Sequence, residues 1–114
     1  MGGKDDYLRW VLEQLAGAEG VSFRRMFGGF GLYRNGVFFG IISDDTLFFK
    51  VNDASRADYE TRGMARFRPY RDRPLVSMGY YEVPADVLED ADECVQWAMR
   101  AVAAGAAKKK SPRR

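Results

Sequence analysis

Histidine is missing from this sequence, and cysteine occurs once, at Cys94. The first absence removes the commonest general base, the commonest metal ligand and the usual serine or cysteine triads. The second rules out an internal disulfide and a cysteine zinc site, and it points to a reducing, cytoplasmic setting. No apolar run approaches the ~20 residues of a membrane span. The opening Met1-Gly2-Gly3-Lys4-Asp5-Asp6 lacks the basic-then-apolar plan of a signal peptide.

Positive charge is also scarcer than the total suggests. There are 18 basic and 16 acidic residues. Five basic ones, Lys108, Lys109, Lys110, Arg113 and Arg114, lie in the last seven positions, leaving 13 against 16 elsewhere. A general nucleic-acid binder would carry its basic surface on the body. The expected organisation is one domain over 1–107 and a basic, disordered tail over 108–114. A chain of 114 residues buries roughly 65% of its unfolded surface, enough for one core.

What is present is aromatic and β-forming. From Arg24 to Ile42 the chain is dense in aromatic and β-branched residues around Asn35-Gly36, a dipeptide suited to a tight type I′ hairpin. Strands are expected over 21–27, 30–34, 37–43 and 46–51, with a further strand over 75–83 and a short edge strand near 66–69. Helical spacing of Tyr7, Leu8, Val11, Leu12 and Leu15 predicts a helix near 5–17. Asn52-Asp53-Ala54-Ser55 offers caps for a short helix ended by Gly63. Pro84 is expected to open a long helix with the stripe Val87, Leu88, Ala91, Val95, Ala98 and Val102, fraying from Gly105. The fold class expected is α+β: two layers, a curved antiparallel sheet of five to six strands, an N-terminal, a short middle and a long C-terminal helix.

A two-residue loop at Asn35-Gly36 pairs Arg34 with Val37, Leu32 with Phe39 and Phe30 with Ile41 on one face. The other face then carries Tyr33 opposite Phe38 and Gly31 opposite Gly40. Continuing through the turn at Asp44-Asp45 sets Phe49 beside Gly40 and Leu47 beside Ile42. Both faces of the central strand are therefore apolar, and one helical layer shelters only one. The second face needs the long helix, the irregular loop or a partner, and a bare patch marks an interaction site. Arg24, Arg25, Tyr33, Phe38 and Phe49 are the candidate interaction surface, with a homodimer or protein partner as occupant.

Other candidate chemistry is thin. Gly28-Gly29-Phe30-Gly31 leads into a strand, so it is a bend or bulge rather than a phosphate loop. Cys94 reads as a small buried hydrophobe. Of Arg24 and Arg25, one is expected to be partly buried, either ion-paired to Glu82, Asp44 or Asp45, or free to bind an anion. Arg62, Arg66, Arg68, Arg71 and Arg73 are interleaved with Phe67 and Tyr70, the best candidates for anion or, together with the basic tail, weak nucleic-acid contact. An enzyme or anionic-ligand receptor ranks behind both readings. No catalytic residue, metal or cofactor is assigned.

Arg24-Arg25-Met26-Phe27-Gly28-Gly29, Gly31-Leu32-Tyr33 and Asp44-Asp45-Thr46-Leu47-Phe48-Phe49-Lys50-Val51 resemble the TfoX/Sxy N-terminal domain family. Tyr59-Glu60 with Gly63, Met78-Gly79-Tyr80-Tyr81-Glu82-Val83-Pro84, and Trp97-Ala98 extend the likeness over about residues 7–107. The resemblance implies a two-layer α+β fold similar to secretion chaperones and a link to regulation of natural competence. It implies no catalytic residues. Full-length regulators of this type carry a second, helical domain, and only the first domain is matched here.

Overall fold

A computed structural model describes residues 3–26, 28–68 and 79–110. It is an α+β fold whose five strands run in sheet order β1 (Val21–Met26), β2 (Gly29–Arg34), β3 (Val37–Ser43), β4 (Thr46–Lys50) and β5 (Tyr80–Glu82), each antiparallel to its neighbour. Helix α1 (Gly3–Gln14) precedes the sheet, α2 (Asp53–Thr61) joins β4 toward β5, and α3 (Ala85–Leu88) and α4 (Ala91–Lys110) follow.

Local chemistry explains most of these boundaries. Asn35 and Gly36 both take positive φ, as a type I′ turn requires. Asp44 and Asp45 do the same at φ 54°, although neither is glycine. Asn52 caps α2 reciprocally: its Oδ1 accepts from the Ser55 amide at 2.9 Å while the Ser55 hydroxyl accepts from the Asn52 amide at 3.1 Å. Gly63, at φ 72°, lets the chain leave that helix.

The long helix departs from expectation. Pro84 opens only the short α3, and Asp90 then accepts from the Glu93 amide at 3.1 Å to start α4. The restart rephases the buried stripe to Cys94, Trp97, Ala98, Ala101 and Val102, while Ala91 is exposed. Nor does Gly105 end the helix, which runs on to Lys110. A methyl group on Gly105 would stand 2.5 Å from the Phe38 carbonyl oxygen, so this glycine is where α4 crosses β3 closely. The Gly28-Gly29 segment is a reversal rather than a bulge, since Met26 pairs with Gly29.

The hairpin register also differs. Arg34 pairs with Val37 and Tyr33 with Phe38, but Leu32 then pairs with Gly40, Gly31 with Ile41 and Phe30 with Ile42. Phe39 is therefore an extra residue, a β-bulge, and every pairing beyond it slips by one. Phe49 still lies beside Gly40 and Leu47 beside Ile42.

One face of the sheet packs on the helices. Leu8 and Val11 of α1 and Leu15 just after it join Leu32, Phe39, Ile42, Leu47 and Phe49 and the stripe of α4 in the main core. The opposite face has a smaller core of Ile41, Phe67 and Tyr80, flanked by Phe38 and Phe48. Phe67 reaches it because residues 65–67 run along β5. The Phe67 amide donates to the Tyr80 carbonyl and the Glu82 amide to the Ala65 carbonyl, each at 2.9 Å. The edge strand expected near 66–69 is thus a single bridge of Arg66 to Tyr81 among the described residues. Residues 75–78 of the expected last strand lie outside them.

Candidate interaction face

The outer face of the sheet, away from the helices, holds a row of cation and aromatic groups. The Arg24 guanidinium stands 5.6 Å from the centre of the Tyr33 ring. Tyr33 lies 5.1 Å from Phe38, and Phe38 lies 5.7 Å from Tyr80. The Lys50 ammonium closes the row, 5.0 Å from the Tyr80 ring centre. Tyr33 and Phe38 contact directly because they are opposite in the hairpin, and cross-strand aromatics attract in tilted geometry. Gly31 leaves the space that Met26, Phe38 and Tyr33 fill beside it.

The row runs from wet to dry. Arg24 is exposed, Tyr33 and Phe38 are half-buried, and Tyr80 and Lys50 are buried. Burial is the main force raising the Tyr80 phenol above its ordinary pKa, with the Tyr33 phenol adding to it. The ring therefore acts as a neutral apolar surface. Phe67, packed 4.9 Å from Phe48, covers the β4–β5 end. The accessible part is centred on Arg24, Tyr33 and Phe38.

Phe49 does not belong to this face. It is fully buried, 5.8 Å from Phe39, on the helical side. The extra residue Phe39 reverses the side of Gly40 and hence of its partner Phe49, because side chains alternate with period two. Phe48 takes the outer position instead, together with Ile41 and Tyr80, which sequence reasoning did not assign to it. The signal was Phe38-Phe39-Gly40, a glycine inside a strand where a bulge is common.

Arg24 and Arg25 separate to the two faces of β1. Neither is buried. Arg25 stands 5.3 Å from the centre of the Phe30 ring and 3.9 Å from the Asp5 carboxylate. Its acidic neighbour is thus on α1, not among Glu82, Asp44 and Asp45.

The arginine segment after α2 is divided. Arg62 lies 5.2 Å from the centre of the Trp97 ring and pairs with Asp86 at 3.0 Å. Arg100 stands 5.5 Å from the same ring and pairs with Asp58 at 2.5 Å. Tyr59 meets Trp97 edge-on at 4.8 Å. Arg62 is therefore committed to joining α2, α3 and α4. Arg66 and Arg68 are exposed, flanking the buried Phe67. Tyr70, Arg71 and Arg73 lie outside the described residues.

Among the described residues, no three acidic or cysteine side chains are placed to hold a metal. Cys94 is buried, and desolvation pushes its thiol up to about 11, away from nucleophilic use. The Tyr81 hydroxyl donates to Glu60 at 2.7 Å, a bond that ties β5 to α2. The outer face offers apolar rings beside a guanidinium.

Among protein families, a model described as the TfoX N-terminal domain matches residues 13–105. A search of curated proteins gave no match.

Proposed function

Since the chain belongs to the TfoX N-terminal domain family, we propose that it is a non-enzymatic regulatory domain acting by protein–protein contact through the outer face of its sheet. The setting proposed is the cytoplasm, in the regulation of natural competence that the family resemblance implies. Among the described residues no helix is long and apolar enough to cross a membrane.

The observation that carries this reading is the half-exposed Tyr33–Phe38 pair beside the Arg24 guanidinium. Aromatic residues and arginine are the side chains that dominate protein interfaces, because they bury much area at little entropic cost. A second copy is the first partner to test.

Size-exclusion chromatography with light scattering is the measurement. A dimer is expected, and Phe38→Asp is expected to shift it to monomer. A wild-type monomer at high concentration, unaltered by Phe38→Asp, removes the support for this face.

A further inference from the structure

Among the described residues, the strand β1 has a neighbour on one side only, β2. Its register with β2 is unbroken from Val21–Arg34 to Met26–Gly29, and the Asn35 amide donates to the Gly20 carbonyl at 3.0 Å. In an antiparallel ladder alternate residues bond to the neighbour, and those between aim their N–H and C=O the other way. Gly20, Ser22, Arg24 and Met26 therefore bond toward β2. Val21, Phe23 and Arg25 present their backbone groups off the free edge.

The side chains at this edge have a defined chemistry. Phe23 is 44% exposed, a large apolar ring left in water. Arg24 and Arg25 are both exposed, one on each face. Arg25 already has the Asp5 carboxylate 3.9 Å away, in a pair whose two side chains are 75% and 59% exposed. Such an exposed pair is weak and readily exchanged. Two copies joined edge to edge would gather four arginines on one seam, and like charges across a strand pair are unfavourable. An acidic strand meets the opposite situation.

We propose that β1 accepts an extended acidic segment of a partner protein, which adds to the sheet as a sixth strand with one apolar residue against Phe23 and two carboxylates beside Arg24 and Arg25. Main-chain bonds supply affinity in strand addition, and alternate side chains supply selectivity. In antiparallel order the segment reads acid, acid, aromatic. This rests on the protein-interaction reading and shares Arg24 with the outer face, but it docks the partner on the β1 edge rather than on the Tyr33–Phe38 pair.

The test is titration of 15N-labelled protein with the peptide acetyl-Thr-Glu-Glu-Phe-Thr-Val-amide, up to about 2 mM, the range of weak contacts. The amides of Val21, Phe23 and Arg25 are expected to shift most, and those of Ser22 and Arg24 least. Arg24→Glu/Arg25→Glu is expected to weaken binding about tenfold or more, as charge-assisted contacts are lost. The same peptide N-methylated along its backbone is expected to cause no shift. Phe38→Asp leaves the peptide shifts in place, so the two surfaces fail separately. The proposal is overturned by an absence of shifts, by shifts without the alternation, or by equal binding of the N-methylated peptide. It is also overturned if oligothymidylate shifts these amides more strongly than the peptide, or if they move on dilution of the protein alone.

Discussion

Phe39 and Gly40 turn toward the same side of the sheet, the side of the helices. Phe39 is in the main core. A Cβ on Gly40 would lie 3.3 Å from Leu32 Cδ1 and 3.4 Å from Phe49 Cδ1, two other members of that core. One extra residue thus decides which aromatics are core and which are interface.

Gly40→Val should therefore destabilise the domain. The Phe48 carbonyl oxygen is 3.2 Å from the Cβ position and belongs to the backbone of β4. Overpacking of this kind costs about 1–3 kcal/mol. A urea midpoint lowered with unchanged slope is the expected result, and Gly36→Val at the open turn serves as the comparison for strain without crowding.

The bulge also shows why the outer face was only partly legible in the sequence. Asn35-Gly36 announces its hairpin through a local requirement for positive φ, and Asn52 announces its helix through a cap three residues long. Tyr33 opposite Phe38 follows from the first of these. Phe49 was misplaced because period two transmits a single insertion to everything beyond it, and an insertion leaves no local mark except Gly40. Asp90 restarts the last helix by a cap that is readable in isolation, yet Pro84 six residues earlier offers a competing start. The Arg62–Trp97–Arg100 stack is invisible in sequence because it joins the end of α2 to α4, two elements distant along the chain.

Gly105→Ala separates intrinsic propensity from tertiary contact. Alanine in place of a helical glycine is worth about 1 kcal/mol in an isolated helix. Here the added methyl would meet the Phe38 carbonyl oxygen, part of a strand backbone held by neighbours on both sides. A net loss of stability is expected in thermal unfolding. A gain would mean that α4 crosses β3 less closely than the structure shows.

Trp97 and Arg62 should behave very differently when truncated. Trp97 is 7% exposed and touches Tyr59, Arg62 and Arg100. Its replacement by alanine is expected to cost about 3–5 kcal/mol. Arg62→Met keeps a long stem over the ring and gives up only an exposed ion pair, so a cost under about 1 kcal/mol is expected. Chemical denaturation of both variants is the check. The same Arg62→Met protein should bind single-stranded DNA at low salt no more weakly than wild type, because this arginine is already engaged.

Alkaline pH should loosen the fold through acids that the native state holds protonated, Cys94 and Tyr7 the first among them. Desolvation raises the Cys94 thiol from 9.0 to about 11. Burial, reinforced by the Asp45 charge, raises the Tyr7 phenol from 10.0 to about 12. Both shifts favour the protonated form in the native state. The unfolded chain therefore loses these protons first, near pH 9 and 10, and is stabilised relative to the native state until the native groups follow. Urea midpoints should be flat below pH 9 and fall between pH 9 and 12. Cys94→Ala should remove the lower part of that fall, although it adds the cost of a small cavity at every pH. Native Cys94 should also resist a thiol reagent at pH 8 and react on addition of urea. Rapid native labelling would place the thiol in water and contradict its burial in the main core.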